Sequence, residues 1–141
     1  MGLFPKVDLK VVAWDIHGVL CPIEGTLDFD EALLDWAETL SSQGLRQIAL
    51  TNAPPDRMRE IQTHLGDWPA IDLVLTSAGT DLTKADPAFY DHVASELGTL
   101  PGSILLIDDK GANINAAAAA GWRGFRYSSL ARDALKRSLK L

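Results

Sequence analysis

Residues 11–20, VVAWDIHGVL, contain the pattern that decides the fold: an apolar run that ends at Asp15 and is followed by a turn with Gly18. Near-continuous apolar runs without alternation are typical of strands buried on both faces, which occur in parallel sheets. Further runs of this kind lie at residues 47–50, 73–75, 104–107 and, as the weakest, 124–127. The sequence therefore predicts about five parallel strands.

Between these runs the apolar residues change to the spacing of amphipathic helices. Pro54-Pro55 and Asp86-Pro87 are typical of helix starts, and Gly121 is typical of a helix end. Alternating strands and helices imply right-handed crossovers and an α/β domain with three layers around an open sheet. We expect one domain over residues 1–141, with a small flap at about residues 17–28. The predicted inward-facing helix residues are Leu33, Trp36, Ala37 and Leu40; Met58 and Ile61; Phe89, Val93 and Leu97; Ile114, Ala117 and Ala118; and Leu130, Ala134, Leu135 and Leu139.

The composition excludes several classes of protein. The 141 residues include 13 basic and 19 acidic side chains, and the net charge of −6 disfavours a nucleic-acid partner, since phosphate backbones are bound by clustered Lys and Arg. Cys21 is the single cysteine, which excludes an intrachain disulfide, and we expect it to be a small buried residue. No apolar stretch approaches the ~18–20 residues of a spanning helix, and residues 1–6 lack the apolar core of a signal peptide. We expect a cytoplasmic protein without a membrane partner, either a monomer or a small homo-oligomer.

Polar side chains end four of the predicted strands, at Asp15, Thr51, Ser77 and Asp108-Asp109. Because ligands bind at the carboxyl ends of strands in open parallel sheets, these residues should converge on one edge. Three carboxylates gathered there repel one another unless a cation lies among them, and oxygen ligands favour Mg²⁺ over zinc. Lys84 is expected at the same edge. A lone Asp near a metal ion, a lysine and a threonine hydroxyl suits a phosphoryl group, whose phosphorus the Asp would attack.

Four motifs occur in order along the chain: DIHGVL at residues 15–20, LTN at 50–52, KADPAF at 84–89 and IDDKGAN at 107–113. Through them the chain resembles the haloacid dehalogenase (HAD) superfamily, most of whose members are phosphatases with an aspartate nucleophile. The resemblance covers residues 11–127, nearly the whole chain. The resemblance implies a Rossmann-like HAD core for the predicted sheet.

The resemblance also implies roles for the acidic residues. Asp15 would be the nucleophile that forms an aspartyl-phosphate and would also be a ligand of Mg²⁺. Asp109 would be the main acidic ligand, and Asp108 would bind the ion directly or through water. The backbone carbonyl of His17 would complete the protein ligands.

On the substrate side, the resemblance implies that Thr51 and Asn52 hydrogen-bond the phosphoryl oxygens and that Lys84 neutralises the nucleophile and the transferring group. Only 36 positions separate Asp15 from Thr51, and 33 separate Thr51 from Lys84, which leaves no room for an inserted cap domain. Without a lid that excludes water, small substrates are poorly enclosed. We therefore expect a large or exposed phosphorylated substrate of unknown identity, or a neighbouring subunit that acts as the lid.

His17 stands where phosphatases of the superfamily have a second Asp, the residue that protonates the leaving oxygen. Three interpretations remain open. His17 could itself be the acid and base, since its ordinary pKa of about 6.5 suits neutral pH. The acid could instead be missing, which would make the chain a catalytically impaired binding module. A dehalogenase or phosphonate-type hydrolase is the third interpretation.

Overall fold

The computed structural model describes residues 8–23, 25–66 and 68–141. Five strands and five helices alternate along this part of the chain: β1 (Val11–Asp15), α1 (Glu31–Ser42), β2 (Arg46–Thr51), α2 (Pro55–Leu65), β3 (Ile71–Thr76), α3 (Pro87–Leu97), β4 (Ile104–Asp108), α4 (Gly111–Ala119), β5 (Arg123–Arg126) and α5 (Arg132–Ser138). Short 3₁₀ turns, Pro101–Ser103 and Ser129–Ala131, precede β4 and α5. Among the described residues, no helix has the length and apolar content needed to cross a bilayer.

All five strands lie parallel in one sheet with the order β3-β2-β1-β4-β5. β1 lies at the centre, and Trp14 is in register with Ala49 on β2 and with Ile107 on β4. This register brings the carboxyl ends of three neighbouring strands to one edge of the sheet. The prediction of about five parallel strands is confirmed.

Helices cover both faces of the sheet because the chain reverses its direction of winding after β3. Residues of α1, α2 and α5 pack on one face with Val12 and Trp14 of β1, whereas residues of α3 and α4 pack on the other with Val11 and Ala13. All five residues of β1 are buried, which explains the apolar character of the first four; the fifth is Asp15. Trp14 packs in the first helix layer, where its indole Nε1 donates to Gln47 Oε1 at 2.7 Å. The three-layer α/β architecture is confirmed.

Two predictions of inward-facing residues are wrong. Leu130 is 97% exposed, because the chain forms a 3₁₀ turn there and α5 begins only at Arg132. The helical spacing counted back from Leu135 therefore does not extend to Leu130. Ala118 is also exposed, and α4 buries Ala116 in its place. In a run of alanines the apolar spacing could not distinguish one face of the helix from another.

The predicted flap, at about residues 17–28, is irregular chain between β1 and α1, and its residue 24 lies outside the described residues. After it, Asp30 caps α1 by accepting hydrogen bonds from Ala32 N at 3.1 Å and Leu33 N at 3.3 Å. Asp30 also pairs with both terminal nitrogens of Arg132, and these bonds hold the pKa of its carboxyl below the ordinary value. This pair, which the sequence analysis missed, ties α5 to the start of α1.

Candidate active site

The site lies where the winding of the chain reverses, at the carboxyl edge of the sheet. The helices that follow β1 and β4 leave these adjacent strands toward opposite faces, which opens a crevice above the strand ends. A cavity of about 360 Å³ occupies this crevice. Its walls contain the predicted residues Asp15, His17, Thr51, Asn52 and Lys84, together with Arg57, Lys110 and Asn113, which the sequence analysis did not select.

Three carboxylates meet beside this cavity, as the sequence predicts. Asp15, Asp108 and Asp109 each have an oxygen within 4.8 Å of the others. Asp15 ends β1 and Asp108 ends β4, so the pairing of these two strands brings them together. They are only 6% and 0% exposed, which removes most of the water that would stabilise their charges. Such a cluster needs nearby positive charge to remain ionised.

Lys84 supplies part of that positive charge. Its side chain is 2% exposed, and its ammonium donates to Asp15 Oδ1 at 2.6 Å, to Asp108 Oδ2 at 2.7 Å and to the Leu50 carbonyl oxygen at 3.3 Å. An ammonium has three N–H donors, and these three contacts use all of them. Lys84 therefore neutralises the carboxylates directly, and it can act on a bound phosphoryl group only through its charge.

The pKa values of the two buried carboxyls show that the cluster remains short of positive charge. Burial is the largest cause that raises the pKa of Asp15, which reaches about 7; the charge of Lys84 opposes this rise and the charge of Asp108 adds to it. Burial also acts to raise the pKa of Asp108. In that case the charge and hydrogen bond of Lys84, with bonds from Lys110 N and Asn113, outweigh burial and lower the pKa. Because the two carboxyls share the charge of Lys84, the protein groups alone leave Asp15 with a raised pKa.

Asp109 is held against the turn that follows β1. Gly18 has a φ of +97°, and a Cβ built on it would lie 2.3 Å from Asp109 Oδ2, so the carboxylate has room only because residue 18 is glycine. Asp109 Oδ1 is buried and has no hydrogen-bond partner among the described residues. A buried carboxylate oxygen without a partner costs free energy unless a ligand pairs with it. Three carboxylates, one of them with such an oxygen, fit a hard divalent cation such as Mg²⁺.

Thr51 and Asn52 reach the same cavity from the end of β2. Thr51 Oγ1 accepts a hydrogen bond from Ala53 N at 3.1 Å, and no acceptor among the described residues takes its hydroxyl proton. Asn52 Oδ1 accepts bonds from Ser77 Oγ and, at 3.1 Å, from Lys84 N. Asn52 therefore holds the loop that carries Lys84. Ser77, the fourth strand-end residue of the prediction, supports this contact and does not line the cavity.

His17 lies in the turn after β1 and lines the cavity, where it is half-buried. Backbone hydrogen bonds from Gly18 N to the Cys21 oxygen, at 2.9 Å, and from Cys21 N to the Ile16 oxygen, at 2.7 Å, hold the turn. Cys21 is fully buried, as predicted, and burial raises the pKa of its thiol to about 12. The two roles given to His17, as the acid and as a metal ligand through its backbone carbonyl, stay predictions.

The sequence analysis missed three polar residues of the cavity wall. Asn113 donates to Asp108 Oδ2 at 3.1 Å, and Lys110 N donates to Asp108 Oδ1 at 3.0 Å. Both lie in the IDDKGAN motif, so their position beside the acidic pair was a usable signal. Arg57 lies in α2 outside every motif, and it reaches the cavity only because of the way α2 packs on the sheet.

Comparisons with known proteins agree with this fold. The sequence profile of the haloacid dehalogenase-like hydrolases matches residues 8–121. The sesquiterpene phosphatase astK of Aspergillus oryzae is 29% identical over 104 residues, which are 74% of this chain and 53% of that protein. The GMP/IMP nucleotidase YrfG of Escherichia coli is 32% identical over 93 residues, 66% of this chain and 42% of that protein. The chain thus spans about half the length of these curated relatives.

A solved structure shows the same fold. An uncharacterised protein from Corynebacterium glutamicum superposes with a TM-score of 0.74 at 22% sequence identity, and the match covers 94% of this chain and 96% of that one. The profile match includes all four motifs and most of the sheet, and it confirms the resemblance found in the sequence. The chain belongs to the haloacid dehalogenase-like hydrolase family.

Proposed function

We propose that the protein is a Mg²⁺-dependent phosphohydrolase that acts through an aspartyl-phosphate on Asp15. One observation carries this proposal: the contact of Asp15 with Lys84, beside Asp108 and Asp109, in a cavity that Thr51 also lines. Two curated relatives with the names of a phosphatase and a nucleotidase support the hydrolysis of a phosphate ester.

In the proposed reaction, a carboxylate oxygen of Asp15 forms a bond to phosphorus while the bond from phosphorus to the leaving oxygen breaks. His17 gives the leaving oxygen a proton. Water then attacks phosphorus, with His17 as the base that takes its proton, and the bond between Asp15 and phosphorus breaks to release inorganic phosphate. Thr51 donates its hydroxyl proton to a phosphoryl oxygen, Asn52 keeps the Lys84 loop in place, and the charge of Lys84 favours the ionised form of Asp15.

The residues proposed to hold Mg²⁺ are those of the acidic cluster. Asp15 and Asp109 bind the ion, Asp108 binds it directly or through water, and the backbone carbonyl of His17 completes the protein ligands. The ion would neutralise the charge of the phosphoryl oxygens. This assignment is supported by the buried Oδ1 of Asp109, which has no hydrogen-bond partner among the described residues, and by the raised pKa of Asp15.

The proposed substrate is a large or exposed phosphorylated molecule. The segment between β1 and α1 covers residues 16–30, and the segment between β2 and α2 covers residues 52–54. Neither segment is long enough to form a cap domain. Among the described residues, Gly25 is the part of the irregular flap beyond His17 that lines the cavity, and we expect a substrate that extends away from the site to be able to enter. A homo-oligomer in which a neighbouring subunit acts as the lid, a cytoplasmic location and a single domain over residues 1–141 stay predictions.

A second candidate function is a catalytically impaired module that binds Mg²⁺ and a phosphorylated partner. The presence of His17 at the position of the usual acidic group favours it. The dehalogenase interpretation receives no comparable support, because displacement of a halide by an Asp needs no metal ion and the three carboxylates suit one.

Release of inorganic phosphate from 4-nitrophenyl phosphate tests the proposal. We expect activity with Mg²⁺ that is absent in EDTA and that falls roughly a thousandfold in Asp15→Asn, since the nucleophile is lost. Asp91→Asn is the matched control, because Asp91 is exposed on α3 and should leave the rate unchanged. Equal traces of activity in wild type and Asp15→Asn would contradict the phosphohydrolase. If His17→Asp then produced Mg²⁺-dependent turnover, the impaired module would be supported.

A further inference from the structure

Arg57 is a basic residue of the cavity wall to which the proposed reaction gives no role. It lies in the first turn of α2, and its side chain is 29% exposed, compared with 9% for Asp15 and 2% for Lys84. Its Nη1 donates to Glu60 Oε2 at 2.7 Å, and its Nη2 is 3.4 Å from the carbonyl oxygen of Gly25 in the flap. Arg57 therefore lies nearer to solvent than the reacting groups, between α2 and the flap.

The stability of α2 does not explain an arginine at this position. Positive side chains in the first turn of a helix face the positive end of the helix dipole, which is unfavourable. Glu60 is 56% exposed, and an exposed pair of this spacing contributes only a few tenths of a kcal/mol. A guanidinium has five N–H donors, and the contacts with Glu60 and Gly25 use two of them among the described residues. The remaining donors are free to bind a ligand.

The charge of the site favours an anion at Arg57. The chain has a net charge of −6, and three carboxylates crowd the inner end of the cavity, so an anionic substrate meets repulsion unless basic groups line its path. Lys84 cannot serve this purpose, because its three donors are directed to protein oxygens. Arg57 and Lys110 are the basic residues of the described cavity wall that stand outside the acidic cluster.

We propose that Arg57 binds a second anionic group of the substrate, a carboxylate that lies beyond the phosphate being transferred. A guanidinium pairs with a carboxylate through two parallel hydrogen bonds, and the side chain of Arg57 is more exposed than that of Asp15, so we assign the carboxylate to the part of the cavity nearer to solvent. Lys110, which is exposed and also lines the cavity, adds positive charge. This inference rests on the proposed function and adds to it the class of substrate: a phosphate monoester that also carries a carboxylate.

The experiment compares two esters that differ in one charge. The first is 4-carboxyphenyl phosphate, and the second is 4-carbamoylphenyl phosphate, which has nearly the same shape and leaving group but no carboxylate; the 3-substituted pair tests a shorter separation. We expect wild type to prefer the carboxyl ester of at least one pair about tenfold in kcat/KM. In Arg57→Gln this ratio should fall to about one. Arg59→Gln, an exposed change of the same charge on the same helix, should retain the wild-type ratio.

Each outcome separates this inference from the proposed function. If the ratio of kcat/KM for the carboxyl ester to that for the carbamoyl ester were near one in wild type for both pairs, the inference about Arg57 would be overturned. An Arg57→Gln variant that loses activity equally on both esters would also overturn this inference, because Arg57 would then bind the transferring phosphoryl group. If wild type hydrolysed neither these esters nor 4-nitrophenyl phosphate, the proposed function would fail, and calorimetric binding of the same esters would decide the role of Arg57. Tighter binding of the carboxyl ester that is lost in Arg57→Gln and kept in Arg59→Gln supports the inference, and equal binding overturns it.

Discussion

Substitution of Gly18 by alanine tests the geometry of the proposed metal site. A Cβ at this position would lie 2.3 Å from Asp109 Oδ2, whereas ordinary van der Waals contacts begin at 3.4 Å, so the carboxylate must move by about 1 Å. The turn itself cannot relax easily, since Gly18 N is bonded to the Cys21 oxygen at 2.9 Å. We therefore expect Asp109 to leave its position in the acidic cluster.

Two effects of the substitution have to be separated. A non-glycine residue at a φ of +97° costs about 1–2 kcal/mol of stability through backbone strain alone. Displacement of a metal ligand should weaken Mg²⁺ binding by about 10- to 100-fold. At saturating Mg²⁺ a 30-fold weaker affinity removes about 2 kcal/mol of the stabilisation that the ion provides.

Gly44→Ala is the matched control. Gly44 has a φ of +91°, nearly that of Gly18, but a Cβ there meets no atom within 4 Å, and the residue lies in the turn between α1 and β2. It should therefore suffer the same backbone strain without any effect on Asp109. The test is urea unfolding of wild type and both variants, each with and without Mg²⁺. The loss of stability of a variant relative to wild type without Mg²⁺ gives the backbone strain. For each protein, the gain in stability on adding Mg²⁺ gives the contribution of the ion.

We expect both variants to be less stable than wild type without Mg²⁺, and only Gly18→Ala to lose part of the stabilisation by the ion. Titration calorimetry with Mg²⁺ should show the same difference in affinity. If Gly18→Ala and Gly44→Ala gained equal stability from Mg²⁺, the ion would not bind at Asp109, and the argument from the packing of this turn would be refuted.

Two further predictions concern ion pairs. Lys84→Met removes the ammonium between Asp15 and Asp108 and leaves buried charge uncompensated, so we expect the free energy of unfolding without Mg²⁺ to fall by about 3–5 kcal/mol. The exposed control Lys136→Met should cost less than about 0.5 kcal/mol. Similar losses in the two variants would contradict the importance of the ion pairs of Lys84. Asp30→Asn keeps an acceptor for the α1 cap but loses the charge paired with Arg132, and we expect about 1 kcal/mol less stability at pH 7. Since the pKa of Asp30 is lowered in the folded protein, its charge stabilises fully above the unfolded value of about 3.9 and less as the pH falls through the folded value. Unfolding curves of the variant and wild type should therefore converge below about pH 4, and a difference that persists to acid pH would count against the ion pair.

The strands and the acidic cluster could be predicted because each depends on a local pattern and one general rule. β1 is buried on both faces, so residues 11–14 are apolar without alternation, and the same holds for residues 48–50 of β2 and 104–107 of β4. Parallel strands end at a common edge, and this rule alone brings Asp15 and Asp108 together. Lys84 was expected at the same edge from its position just before Asp86-Pro87, and the structure places it in contact with both carboxylates.

Local patterns could not predict features that depend on how distant elements pack. Arg57 reaches the cavity from α2, the pair of Asp30 with Arg132 joins residues 102 positions apart, and the contact of Gly18 with Asp109 joins two strand ends. Leu130 shows the converse case, since an apolar residue at helical spacing is exposed where the helix has not yet begun.

The amino-acid order alone thus specifies the α/β class, the edge of the sheet where the chemistry lies, and the three carboxylates and Lys84 gathered there, because burial and strand polarity are encoded residue by residue. The distances among those groups, the use of all three donors of Lys84 and the neighbours of Arg57 depend on the three-dimensional packing. They follow from the register of the strands and the seating of the helices, which are set by many weak contacts between segments far apart in the chain.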